Sequence, residues 1–163
     1  MGLIFNAREV FEIAEQIERN GGKFYRHAAH TVTDEKAKKC LLKLAEMEDV
    51  HESFFASLKE QFSPSEEVEG LPDSENQVLA YLQAMAEGKV FGNIEDITSK
   101  IIPESTFNQI INTAIGFEKD TIVFFAAIKG LVPEKLGKNK IDSLICEEVS
   151  HIAILLDERA KSY

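Results

Sequence analysis

The chain has 163 residues, 44% of them hydrophobic and 28% charged, a globular composition long enough to bury its own core. With 18 Lys and Arg against 28 Asp and Glu, the net charge of −10 speaks against nucleic acid and against an anionic membrane surface, both of which need clustered cations. No apolar run approaches the roughly 18–20 residues of a membrane span.

Strand-type alternation is absent, and four long segments carry helical periodicity. The first is expected from about Asn6, as N-cap, to His30, with the seam Ala7, Phe11, Ala14, Glu18, Gly21, Tyr25 and Ala28. The second opens at Thr33 or Asp34, where T-D-E-K reads as a capped first turn, and runs to about Phe62. Its seam is Ala37, Leu41, Leu44, Glu48, His51, Phe55, Leu58 and Phe62. A connection from Ser63 to about Pro103 opens with the breaker-rich FSPSEEVEGLPDSEN, whose acidic run SEEVEG reads as solvated. Within it SENQVLAYLQAMAEG is expected as a shorter helix, capped at Ser74 and ended by Gly88. The third long helix is expected over roughly Glu104 to Leu131, with the seam Phe107, Ile111, Ala114, Glu118, Thr121, Phe125 and Ile128. The fourth follows Pro133 and Gly137, and its seam is Ile141, Leu144, Glu148, His151 and Leu155.

These seams repeat at an offset of 100 residues. Ala14 maps onto Ala114, Glu18 onto Glu118, and Phe24 and Tyr25 onto Phe124 and Phe125. Leu44, Glu48 and His51 map onto Leu144, Glu148 and His151. Two related helical hairpins joined by a long connection predict an all-α four-helix bundle, the crossover laying the second hairpin against the first.

A seam that faces a bundle core should be apolar, yet each of these carries a Glu near its middle. A lone buried carboxylate costs several kcal/mol, so it must be neutralised, paired or bound to a metal. Residues equally far from the turn of an antiparallel hairpin lie at one height. Glu18 and Glu48 are each 15 residues from Thr33, and Glu118 and Glu148 are each 15 residues from Pro133. That is about 22 Å along a helix, so both pairs should lie level, and stacked halves bring all four together.

Glu48-Asp-Val-His51 and Glu148-Val-Ser-His151 share the Glu-x-x-His spacing, which puts both side chains on one helical face. Four carboxylates and two imidazoles make an oxygen-and-nitrogen box of charge about −4, suited to two divalent cations. One Glu from each of two helices with Glu-x-x-His from the other two is the ligand pattern of di-iron and di-manganese carboxylate bundles. A salt-bridged core is the alternative. One Glu-x-x-His arises readily by chance, but both copies have a further Glu 30 residues upstream, followed at +6 and +7 by an aromatic pair. The duplication favours the metal reading.

At these residues the chain resembles the rubrerythrin branch of the ferritin-like di-iron proteins, through AEQIERNGGKFYRHAA, KLAEMEDVHESFF, AIGFEKDTIVFFAAI and LICEEVSHIAILLDE. The resemblance covers all four long helices and implies one ferritin-like domain over residues 1–163 with a dinuclear site, iron first and manganese or zinc as substitutes. It implies Glu18 and Glu118 as terminal carboxylate ligands, Glu48 and Glu148 as bridging carboxylates, and His51 and His151 as one imidazole per metal. Two departures are visible. The cysteines of a rubredoxin domain, which delivers electrons in many rubrerythrins, are missing, so an electron donor would be a separate protein. Peroxide-reducing members carry an extra carboxylate one turn after the third-helix ligand, where this chain has Thr121.

The leading expectation is a non-haem di-iron oxidoreductase that reduces peroxide or dioxygen, protecting against oxidative stress with electrons from an external donor. Two ferrous ions can deliver two electrons to an O–O bond, while the protein fixes geometry and limits water access. The rivals are a ferroxidase or iron-handling protein and a non-enzymatic metal-binding helical bundle.

Tyr25, seven residues after Glu18 on the same face, is a candidate catalytic residue whose hydroxyl could hydrogen-bond the carboxylate or a bound oxygen species. An aromatic core filler is the alternative, because its counterpart is Phe125. Glu147 points about 100° away from Glu148 and is expected at the solvated surface. His27 and His30 are expected as surface or cap residues. Cys40 and Cys146, 106 residues apart, form no C-x-x-C pair and are expected to be buried small residues or bystanders in a reducing compartment. The N-terminal MGLIFNAREVF has neither a basic n-region nor a long h-region, so no signal peptide and a cytoplasmic location are expected. The crossover could close within or between chains, which leaves room for a homodimer with exchanged helices.

Overall fold

The apolar seams become helices in the computed structural model, which describes residues 7–62, 77–86, 98–99, 101–102, 104–132, 134 and 137–161. Helix α1 spans Ala7–Thr31, α2 Glu35–Lys59, α3 Gln77–Ala86, α4 Phe107–Ile128 and α5 Lys138–Lys161, with a 3-10 turn at Lys129–Leu131 extending α4. No strand occurs among the described residues. The expected caps at Asn6 and Ser74, the stop at Gly88, the run SEEVEG and the turn residue Pro133 lie outside the described residues.

Local chemistry sets the boundaries. Asp34 caps α2, its carboxylate accepting from the Ala37 backbone N–H at 2.7 Å. The α2 helix stops at Lys59, three residues short of the expected Phe62, yet the Phe62 ring stays buried against Phe11 with centroids 5.0 Å apart. Helix α4 begins later than the expected Glu104 because Thr106 and Gln109 form a capping box. The Gln109 side chain accepts from Thr106 N–H at 2.8 Å, and Thr106 Oγ1 accepts from Gln109 N–H at 3.3 Å. Gly137 enters α5 at φ +107°, a left-handed conformation in which a side chain would be strained.

Helix α1 packs along α2 and α4 along α5; the two hairpins meet through α1 against α4 and α2 against α5. The short helix α3 rests on α1 and adds Leu82 and Met85 to the core. That core is divided. One apolar cluster gathers the N-terminal half of α1 with the C-terminal ends of α2 and α4, including Phe11, Phe55, Leu58, Phe125 and Ile128. The other gathers the C-terminal half of α1 with the starts of α2 and α4, including Phe24, Leu41, Leu44, Ile110 and Ile111. Between them, at mid-bundle, lies a polar layer. On the flank of the first hairpin an ion-pair ladder joins α1 to α2: Arg8 to Glu60, Glu15 to Lys59, Arg19 to Glu52 and Arg26 to Asp49.

Nearly every seam position is buried as its spacing requires; Phe107, at the start of α4, is only half-buried, and the side chain of Ala7 is outside the description. The core is wider than the seams, taking in Val10, Ile17, Phe24, Ala45, Ile110 and Phe124 as well, because each helix touches two neighbours. Among the described residues no helix is long and apolar enough to cross a membrane.

Leu58 is fully buried whereas Val50 is 66% exposed. Leu58→Ala should therefore lower the free energy of unfolding by about 2–5 kcal/mol, and Val50→Ala should change it by less than about 0.5 kcal/mol, as read by urea denaturation.

Candidate metal centre

The polar layer holds the six residues singled out by the repeat. Glu18 comes from α1, Glu48 and His51 from α2, Glu118 from α4, and Glu148 and His151 from α5. None is more than 3% exposed. Their heights agree because each sits mid-helix, so the two apolar clusters close the layer off from both ends.

Both imidazoles turn Nδ1 towards the carboxylates. His51 Nδ1 lies 2.8 Å from Glu148 Oε1, 3.2 Å from Glu18 Oε2 and 3.7 Å from Glu48 Oε2. His151 Nδ1 lies 2.9 Å from Glu148 Oε2, 3.2 Å from Glu48 Oε1 and 3.5 Å from Glu118 Oε1. The donors thus form two quartets, Glu18, Glu48, His51, Glu148 and Glu48, Glu118, Glu148, His151. Glu48 and Glu148 belong to both, each turning one oxygen to either imidazole. The two rings lie nearly parallel, 12° apart, with centroids separated by 5.6 Å.

Of these Nδ1–carboxylate contacts, the one from His51 to Glu18 is oriented as a hydrogen bond; the orientation of the others fits cation coordination better. Among the described residues neither oxygen of Glu148 and neither ring nitrogen of His151 has a hydrogen-bond partner, although Nδ1 and the oxygens are within reach, so their orientation is wrong for donation. Glu18 Oε1 is likewise buried and unpartnered. Donors about 2.1 Å from a common octahedral cation would lie about 3.0 Å from one another, close to the spacings seen here. Carboxylate oxygen with imidazole nitrogen is also a donor set that iron, manganese and zinc accept.

With protons as the only cations, the layer sorts into two roles. Burial raises the carboxyls of Glu18 and Glu118 well above the ordinary range, and the negative charge of Glu48 pushes both further up. Burial works upward on Glu148 too, but the His151 and His51 imidazoles bring it down to about 2. Glu48 is lowered by the same imidazoles against the same burial. Burial favours the neutral form of His151, and Glu118, Glu148 and Glu48 overturn it, pushing the ring up to about 12. His51 is raised in the same way, with Glu148 and Glu18 the leading partners.

The surrounding residues partly correct the expectations. Tyr25 is buried and its hydroxyl donates to Glu118 Oε1 on α4, rather than to Glu18 on its own helix. Burial and the Glu118 charge hold its phenol well above the usual range. Thr121 is buried with its hydroxyl donating to the Phe117 carbonyl at 3.1 Å. Glu147 is not simply solvated: its side chain is 41% exposed, and its Oε2 lies 3.1 Å from His51 Nε2. The 100° step takes it off the seam but onto the flank facing α2. Cys146 is exposed rather than buried and Cys40 is half-buried, both as free thiols. His27 and His30 lie at the surface against backbone carbonyls of Ile101 and Arg26.

Gly21 was visible on the seam but not as part of the site. A Cβ there would sit 3.3 Å from Cγ and Cδ of Glu48 and 3.4 Å from its Oε2. The missing side chain makes the space in which the Glu48 carboxylate lies.

A sequence model of the rubrerythrin family matches residues 9–158. No curated protein sequence matches the chain. Among solved structures, a candidate ferritin-like diiron-carboxylate protein of Thermotoga maritima superposes with a TM-score of 0.73 over 98% of both chains, at 22% identity. At that identity the likeness establishes the fold.

Gly116, midway along α4, has nothing within 4 Å of its would-be Cβ. Gly116→Ala should stabilise the chain by about 0.5–1 kcal/mol through helix propensity. Gly21→Ala should forfeit that gain, because Glu48 must move; paired thermal melts of the two variants test the difference.

Proposed function

The chain belongs to the rubrerythrin family, and on that premise we propose that it is a non-haem di-iron oxidoreductase that reduces peroxide or dioxygen with electrons from a separate donor protein. One observation carries this reading: two buried quartets of oxygen and nitrogen donors share Glu48 and Glu148. Glu18 and His51 would complete one iron position, and Glu118 and His151 the other. When bound, a ferrous pair supplies two electrons to an O–O bond. Two protons must arrive with them, so that one peroxide leaves as two waters.

The chain's own residues set the conditions. The apolar clusters on either side of the layer keep bulk water out and strengthen each electrostatic contact within it. Glu48 and Glu148, each turning one oxygen to either imidazole, are the residues that would be shared between two bound irons. Tyr25 orients Glu118 through its hydrogen bond and places a hydroxyl proton beside that position. A second reading, oxidation of ferrous iron by dioxygen as a ferroxidase, is favoured by Thr121, which offers a hydroxyl bound to backbone where peroxide-reducing relatives are expected to carry a carboxylate.

Purified protein reconstituted with ferrous iron should retain about two irons per chain. Glu48→Gln or Glu148→Gln should weaken both positions, whereas Glu18→Gln or Glu118→Gln should spare one. Sustained consumption of peroxide or dioxygen at the expense of an added reductant supports the reductase; consumption that proceeds only as fresh ferrous iron is supplied, with ferric iron as the product, supports the ferroxidase. Protein that binds no metal and keeps full stability after Glu48→Gln refutes the reading.

Loading should also release protons, because metal displaces them from His51 and His151, whose rings the carboxylates hold well above the ordinary imidazole range. Calorimetry in buffers of different ionisation enthalpy should show net proton release on binding, with affinity falling as pH is lowered.

A further inference from the structure

The two quartets are duplicates, but their outer contacts are not. His51 Nε2, on the ring edge away from the carboxylates, lies 3.1 Å from Glu147 Oε2. The same atom of His151 is buried and has no hydrogen-bond partner among the described residues. The repeat explains the difference: the position equivalent to Glu147 is Met47, whose thioether packs against the apolar cluster and is at best a weak acceptor.

We propose that Glu147 is a positioning residue that makes the two cation positions unequal, so that the position bounded by Glu18 and His51 fills before the one bounded by Glu118 and His151. The inference rests on the metal-centre reading above. An imidazole that binds a cation through Nδ1 keeps its proton on Nε2. In His51 that proton has a carboxylate to receive it, which fixes the ring's orientation and makes its Nδ1 a better electron donor. The His151 ring lacks both effects, and its Nε2–H is left without a partner in a dry interior. Both effects of Glu147 favour the Glu18–His51 position, while the Tyr25 hydroxyl acts on Glu118 and on neither imidazole. Glu147 approaches from the far edge of the ring, so it acts through His51 rather than as a ligand.

Cobalt(II) titration of the full metal-free chain, followed by calorimetry and optical absorption, tests this. The wild type should take up two ions in two steps. Glu147→Gln, which keeps an acceptor and loses the charge, and Glu147→Leu, which loses both, should weaken the tighter step about 10–100-fold and leave the weaker one in place. With His151→Ala in the background the remaining tight step should still respond to Glu147→Gln; with His51→Ala it should not. Two ions bound with unchanged separation in folded Glu147→Leu, or a response that persists without His51, overturns the inference while the metal centre stands. A wild-type chain that takes up no cobalt overturns both.

Discussion

Four carboxylates and two imidazoles removed from water dominate the energetics of this bundle. An unpaired buried charge would cost more than the burial of any single core side chain returns, so the layer must be close to neutral in every folded state. The pattern of protonation achieves this. Glu48 and Glu148 are held ionised and His51 and His151 protonated, while Glu18 and Glu118 are pushed towards their neutral forms. Four ionised carboxylates carry the charge that two divalent cations would balance, so the donor set is matched in charge to such a pair as well.

The frame of the layer is built from the residues around it. The apolar clusters above and below it anchor the helices at both ends of the site. The ion-pair ladder fixes the α1–α2 register, although each exposed rung contributes only about 0–1 kcal/mol. Gly21 then lets Glu48 lie against α1, at a helix-propensity cost of about 0.5–1 kcal/mol. A helix interior seldom carries two adjacent glycines unless packing demands it. Gly22 differs, since its Cβ would meet Arg26 Nη1 at 2.9 Å and Asp49 Oδ1 at 3.1 Å, the tips of two half-exposed side chains that can shift.

Fold and site were legible to different depths. The bundle could be read because its seams are apolar at helical spacing, and the height of each Glu followed from its distance to a turn. The boundaries were less visible. The α4 start depends on which of several polar residues wins the cap, and Thr106 wins through its partner Gln109, a signature present in the chain but not singled out. Lateral contacts between helices were the least visible of all. Helical periodicity assigns Glu147 to the flank, and only the approach of α2 decides that this flank meets His51. Likewise Tyr25 shares a face with Glu18, yet its long side chain reaches across to α4 and Glu118.

Duplication explains why the ligands coincide and also where to look for what they do. Residues that repeat at an offset of 100, the Glu and Glu-x-x-His positions, build a near-symmetric cage. Residues that do not repeat break that symmetry in specific places. Tyr25 faces Glu118 where Phe125 has no hydroxyl to offer Glu18, and Gly21 admits Glu48 where Thr121 fills its own space. Two metals in identical surroundings would share one affinity and one potential, leaving nothing to direct which ion reacts or exchanges. The surround of the two quartets differs by a hydroxyl, a carboxylate and a side-chain volume, while the shared residues Glu48 and Glu148 are common to both. In this bundle the repeated residues build the two matching quartets, and the unrepeated ones make their surroundings unlike.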